Sequence, residues 1–243
     1  MERQAIRRRL RVNTFITVGN IALLTARREN ILLTLGMTGV GSLRAVKMFD
    51  KIVAEFKPDL LLVAGFAGAL DPAVKVGAVV IPNAVLGVEH QSAPILVNSF
   101  LDSELMPCPH GTGLVKGHLL TANHIVTSPT EKADLFRRTG AVAIDMESAS
   151  LASRAHSLGI PCAVIRSISD EATETLPAGM LSCTDEFGRP KGWPLTRWIL
   201  THPGGLSALL RLNRNSRLAA GNLAAGVENY LTNFIACQSK YEN

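Results

Sequence analysis

Two acidic clusters have the residue types for bond-breaking chemistry. Asp145-Met146-Glu147-Ser148 follows one short apolar run, and Arg166-Ser167-Ile168-Ser169-Asp170-Glu171 closes the next. Paired carboxylates can share acid–base and electrostatic work at a polar bond. Both clusters fall where the carboxyl ends of parallel strands present groups to ligands. Each residue also has a plainer role open to it: Asp145 as a helix N-cap, Glu147 as a first-turn acid favoured by the helix dipole, Asp170 as a turn cap. The chemical role gains weight because a single helix joins the two strands, so both clusters can face one cleft.

Other chemistries find less support. Gly36-x-x-Gly39-x-Gly41 and Gly65-x-x-Gly68 suit either tight turns or close backbone approach to a small ligand, and neither matches the dinucleotide fingerprint or a phosphate loop. The six histidines lack metal-ligand spacing, and no nucleophile elbow is present. Cys108, Cys162, Cys183 and Cys237 form neither a C-x-x-C pair nor a disulfide framework, which fits reduced thiols in a cytoplasmic protein. Neither metal nor redox cofactor is expected.

The elements that would position these groups alternate. Short β-rich runs between Thr14 and Leu35, broken at Gly19-Asn20 and Glu29-Asn30, read as a strand meander. Leu43, Val46, Phe49, Ile52, Val53 and Phe56 follow helical spacing until Lys57-Pro58 ends it. Leu60 to Ala64 reads as a strand buried on both faces. Val79–Val88 and Leu114–Val126 read as further strands. Ser128-Pro129-Thr130-Glu131 opens a helix that stops before Gly140. A strand over Ala141–Ile144, a helix from about Met146 to Leu158 capped by Gly159, and a strand over Cys162–Ile168 complete the alternation. A last helix runs from about Leu206 to Phe234. The expected fold is α/β: one domain over residues 1–243, three αβα layers around a central mixed, twisted sheet, with a basic, tryptophan-containing extension from about residue 173.

Charge excludes other classes. The net +5 comes from the ends: residues 1–28 carry seven Arg against one Glu, and residues 189–217 carry six basic residues and no acid. The middle is acidic, so a nucleic-acid groove, which spreads cations over its binding face, is not expected. The longest apolar run, Leu60 to Leu70, has 11 residues, against about 20 for a membrane-spanning helix. The Arg-rich start is read as part of the mature chain, not as a targeting segment.

Several blocks together carry a resemblance: Phe56-Lys57-Pro58-Asp59, Gly65-Phe66-Ala67-Gly68-Ala69-Leu70-Asp71-Pro72, Val76-Gly77, Ile144-Asp145-Met146-Glu147-Ser148-Ala149 and Val164-Ile165-Arg166-Ser167-Ile168-Ser169-Asp170. Their order and spacing over about residues 31–170 resemble the purine nucleoside phosphorylase and methylthioadenosine/S-adenosylhomocysteine nucleosidase superfamily. Leu176-Pro177, Asp185-Glu186-Phe187-Gly188 and the Pro203–Leu218 segment are similar to its hopanoid-associated branch, whose members act on adenosylhopane.

The resemblance implies cleavage of a purine N-glycosidic bond by phosphate or water, in a small-molecule enzyme that forms homo-oligomers. It implies that Glu147 holds the ribose hydroxyls, Met146 packs on the sugar, and Asp170 bonds purine N7 and protonates the leaving base. Glu2 is the implied water-activating acid. Asp145, Arg166, Gly65, Phe66, Ala67 and Ile125 are implied substrate contacts. The hopanoid likeness implies a lipid-linked 5′ substituent reached at a membrane surface.

The chain departs from the family pattern in three ways. Met1-Glu2-Arg3-Gln4 stands where the family's first strand would just have ended, so either Glu2 is the acid or none is. Phe66 stands where Ser is frequent, and the Arg that the phosphorylases place near Val63 for phosphate is not evident. Ile125 replaces an aromatic that stacks on the base. The nucleophile therefore stays open, and a catalytically weak nucleoside-binding module is the alternative. Because Arg7-Arg8-Arg9 already reads as helix, the sheet is expected to show an edge or gap beside Leu60–Ala64.

Overall fold

The computed structural model describes residues 1–18, 21–28, 31–39, 41–88, 93–97, 113–176 and 205–241. Its centre is the apolar run after Pro58, which forms β4, the strand Leu61–Ala69. Cys162–Asp170, β11, lies parallel to it, with Cys162 opposite Leu61 and onward in register to Ile168 opposite Ala67. Between them in sequence come β5 (Val79–Val80), β6 (Ala84–Gly87), β7 (Ile95–Leu96), β8 (Leu114–Val115), β9 (His118–Thr121) and β10 (Ala143–Asp145). The spatial order is β7-β6-β9-β10-β4-β11-β5-β8, a sheet of mixed direction.

Helices cover both faces. On one, α2 (Ser42–Phe56) and α4 (Ser148–Ser157) bring Ala45, Phe49, Leu151, Ala152 and Ala155 against Val63, Ala67 and Val164. On the other, α1 (Glu2–Arg9) and α5 (Gly205–Tyr241) bring Ile6, Leu10, Leu223, Ala224 and Val227 against Val79 and Ile165. The four-residue recurrence of Ala219, Leu223 and Val227 makes one side of α5 a continuous apolar stripe. A Cβ on Gly226 would stand 3.1 Å from Val79, so the helix lies close to the sheet there. These are the three expected layers. The remaining helix, α3 (Pro129–Thr139), starts with Pro in its first turn and ends on Gly140 at φ 65°.

The expected elements shift in four places. The β4 strand runs on through Gly65-Phe66-Ala67-Gly68, and it alternates instead of being uniformly buried: Val63, Gly65, Ala67 and Ala69 are buried, whereas Leu62, Ala64, Phe66 and Gly68 are half-buried. Its second face therefore meets a cavity as well as helices. Val79–Val88 divides at Ile81–Asn83, where Pro82 cannot donate to a ladder, and Leu114–Val126 divides at Gly117, whose φ is 148°. The α4 helix begins two residues after Met146.

The meander is present as β1 (Thr14–Val18), β2 (Ile21–Arg28) and β3 (Ile31–Leu35), all antiparallel, in a sheet of its own. Residues 2–9 are helical, as Arg7-Arg8-Arg9 suggests. Opposite β11, β4 is paired to β10 only at Gly68 and Ala69. The rest of that flank borders a cleft which β3 also lines, in line with the expected gap beside Leu60–Ala64. Trp193, Trp198, Cys108, Cys183 and the Asp185–Gly188 block lie outside the described residues. Cys162 is buried, and burial pushes its thiol up to about 12, which suits an inert core thiol.

Candidate active site

One cleft of about 2560 Å³ collects the residues singled out from the sequence. Glu2, Gly65, Phe66, Ala67, Ile125, Asp145, Met146, Glu147, Arg166 and Asp170 all line it. They arrive on α1, β4, β10, β11 and the turns after them; β4 and β11 run parallel, whereas β10 is antiparallel to β4, so Asp145 and Glu147 reach the cleft beside Gly68 from the opposite strand direction to the one the sequence suggests.

Glu147 sits at the N-cap of α4 but caps a different element. Its Oε1 accepts the N–H of Gly41, 2.8 Å away, immediately before α2. Ser42 Oγ donates to the Met146 carbonyl at 2.7 Å. These two bonds tie the glycine loop ending at Gly41, whose φ of 100° needs glycine there, to the Met146-Glu147 turn. Burial raises the Glu147 carboxyl above the ordinary glutamate range. The Arg166 guanidinium pulls it back, while the Asp145 and Glu2 carboxylates push it up again.

Asp145 is engaged inside the protein. Thr121 Oγ1 donates to its Oδ1 at 2.6 Å, and its Oδ2 accepts the Ser148 N–H at 3.0 Å at the start of α4 and pairs with Arg166 Nη2. The plain capping role and the cleft position thus coexist. Arg166 spends its fork on Asp145, on Ser148 Oγ at 2.9 Å from Nη2, and on the Phe66 carbonyl at 3.3 Å, with Glu147 Oε2 3.9 Å away. Arg166 fills the space beside Gly65, where a Cβ would collide with its Nη1.

Glu2 reaches the same place from α1. Its Oε1 accepts the Phe66 N–H at 2.7 Å, so a carboxylate takes the role of a ladder acceptor on the open flank of β4. Nothing local in Met1-Glu2-Arg3-Gln4 shows this, because the partner is 64 residues away.

Asp170 is aimed by a bulge. The β4–β11 register slips between Ile168 and Asp170, placing Asp170 opposite Gly68. Ser169 Oγ donates to Asp170 Oδ1 at 2.8 Å. A Cβ on Gly68 would be 2.9 Å from Asp170 Oδ2, so glycine leaves that carboxylate room. Lys132 of α3, fully buried, donates to the same Oδ2 at 2.5 Å and to the carbonyls of Glu171 and Glu174 at 2.8 and 3.4 Å. Lys132 lies outside both acidic clusters that the sequence singles out. Its signal was helical spacing: three residues before Leu135 and four before Phe136, it shares their inward face.

The rest of the cleft is broad and largely apolar, with Leu33, Leu35, Leu60, Leu62, Leu209, Leu210, Leu231 and Phe234 among its lining. No group of histidine, cysteine and carboxylate side chains that could hold a metal occurs among the described residues.

The sequence profile described as the phosphorylase superfamily matches residues 14–187. A curated relative, the 5′-methylthioadenosine/S-adenosylhomocysteine nucleosidase of Exiguobacterium sp. (strain ATCC BAA-1283 / AT1b), is 27% identical over 155 residues. That match takes in 56% of this chain and 66% of the relative, just under two thirds of its length. Among solved structures, the futalosine hydrolase of Helicobacter pylori superposes with a TM-score of 0.73 at 19% identity, covering 96% of this chain and 93% of that one. The 5′-methylthioadenosine/S-adenosylhomocysteine nucleosidase of the same organism gives 0.72 at 18% identity, covering 96% and 94%. At such identities the superpositions establish the shared fold.

Proposed function

The chain belongs to the phosphorylase superfamily, and from that premise we propose that it cleaves the N-glycosidic bond of an adenosine-type nucleoside with water as the nucleophile. The observation that carries this reading is the meeting of three carboxylates, Glu2, Glu147 and Asp170, in one cleft. An oxocarbenium-like transition state is stabilised by nearby negative charge, and a poor leaving group needs a proton donor. Glu147 holds the ribose hydroxyls, Met146 packs on the sugar, Asp170 serves the base and Glu2 takes the proton of the attacking water. Gly65, Phe66, Ala67 and Ile125 shape the surroundings. Asp145 and Arg166 act by holding the turn in place.

Water is favoured over phosphate by the state of Arg166. Its guanidinium is committed to Asp145, Ser148 and Phe66, and Glu2 and Glu147 would repel an anion beside it. Glu2 in the cleft also supports an enzyme over the inert nucleoside-binding module. Incubation with adenosine and methylthioadenosine is expected to release adenine and free sugar at rates independent of phosphate. Sugar 1-phosphate as the product would replace hydrolysis by phosphorolysis, and no free base with any nucleoside would leave the binding module.

The apolar remainder of the cleft supports a lipid-linked 5′ substituent. Leu209, Leu210, Leu212 and Ser216 of α5 line it, while the outer side of the same stretch exposes Leu206, Arg211, Arg214, Arg217 and Leu218. A cleft that opens beside leucines and arginines suits a substrate drawn from an anionic membrane surface. Each Arg near such a surface contributes about 1 kcal/mol. No helix among the described residues is long and apolar enough to cross a membrane, so contact would be peripheral. Co-sedimentation with anionic liposomes at low salt is expected, and is expected to weaken when Arg211, Arg214 and Arg217 become Gln. An absence of co-sedimentation would leave these residues as a solvated face.

A further inference from the structure

The buried cation behind Asp170 has a consequence for the reaction. Lys132 is fully buried, its three ammonium hydrogens have three acceptors, and the shortest bond goes to the carboxylate expected to serve the leaving base. We propose that Lys132 is a positioning residue that holds the leaving-group proton at rest and passes it through Asp170 to the purine. This rests on the hydrolytic reading above.

The step balances. The C1′–N bond breaks and its electron pair leaves with the purine, whose ring nitrogen bonds a proton from the Asp170 carboxyl. Asp170 takes a proton from Lys132 Nζ, which becomes a neutral amine. The oxygen of water bonds C1′, and the proton it sheds goes to Glu2 and then to solvent. A solvent proton restores Lys132 when the base departs.

The surroundings leave the Lys132–Asp170 pair as a unit. Glu171 and Glu174, whose carbonyls accept from Lys132, have their own carboxylates paired with Lys75 at 3.2 Å and Arg211 at 3.4 Å. On α3, Glu131 pairs with His124 at 2.9 Å, and Asp134 pairs with Arg137 and Arg138. Ser169 Oγ donates to Asp170 Oδ1 at 2.8 Å, so the proton that arrives from Lys132 is carried on Oδ2. Lys132 Nζ is in direct contact with Asp170 Oδ2, so a proton held on the ammonium is one transfer from the carboxylate that serves the base.

The test is the pH profile of base release by the wild type, Lys132→Met and Lys132→Gln. Each variant is expected to lose about 10²-fold at neutral pH and to recover part of it in acid, its alkaline limb moving to lower pH because Asp170 must then be protonated by itself. A loss with the alkaline limb unmoved, or moved to higher pH, would overturn the proposal and leave Lys132 as packing. If neither variant folds, the wild type decides: activity persisting into alkaline pH is expected, and an alkaline limb that begins below neutrality overturns it. A wild type that releases no base refutes the hydrolytic reading itself, which is a separate outcome.

Discussion

Asp170→Asn is expected to lower turnover by about 10²-fold or more, the scale for loss of a proton donor, and to destabilise the protein as well. The second effect comes from Lys132. Removing the negative charge leaves an ammonium with no exposed surface beside a neutral amide, and breaking a buried ion pair from one side costs about 3–5 kcal/mol. The amide oxygen can still accept from Lys132, so the lower end of that range applies. The double variant Asp170→Asn/Lys132→Met removes both charges and is expected to regain much of the stability and none of the turnover, a coupling typical of residues in direct contact. Denaturant unfolding and base release, measured on Asp170→Asn, Lys132→Met and the double variant, give the two readouts. Wild-type turnover in Asp170→Asn would remove that residue from the mechanism, and additive stability losses would mean that the pair contributes no coupling.

The double effect shows where sequence reasoning reaches and where it stops. The strands β4 and β11 were legible because continuous apolar runs bounded by helices have few other uses, and the acidic clusters were legible because each closes a strand. Glu147 and Asp170 followed from that placement. What the carboxylates bond to was not legible. Gly41 meets Glu147 across 106 residues and Phe66 meets Glu2 across 64, and no local pattern encodes pairings at that range. The bulge at Ser169 was hidden for a related reason, since a register slip depends on both strands. Lys132 stands between these cases. Its helix was read correctly from Ser128-Pro129 to Gly140, and a cation on the Leu135 face has to find an acceptor in the interior. The divided strands at Pro82 and Gly117 show residue chemistry overriding an apolar pattern: one has no N–H to give, and a Cβ on the other would stand 2.7 Å from Val142.

Glu147→Gln should separate activity from stability in the opposite direction to Asp170→Asn. Turnover is expected to fall by about 10²-fold, because an amide cannot match a carboxylate as acceptor for two ribose hydroxyls or as a counter-charge to the forming cation. Stability at neutral pH is expected to rise. Burial lifts the Glu147 carboxyl above its ordinary value of 4.5, against the pull of Arg166, with Asp145 and Glu2 adding to the lift. An acid that binds its proton more tightly when folded favours the native state fully below the unfolded value, and loses that contribution as pH climbs to the raised native one. At neutral pH the ionised side chain is therefore a net cost, which glutamine removes while its Oε1 still accepts from Gly41. The variant's Tm should exceed that of the wild type at about pH 7–8 and converge on it at about pH 4, below the 4.5 at which the unfolded side chain titrates. The same raised carboxyl should make wild-type activity fall on the acid side at a pH above the ordinary glutamate range. A glutamine variant less stable than the wild type at neutral pH would mean that the attraction of Arg166 outweighs burial, and the acid limb would then lie within the ordinary range.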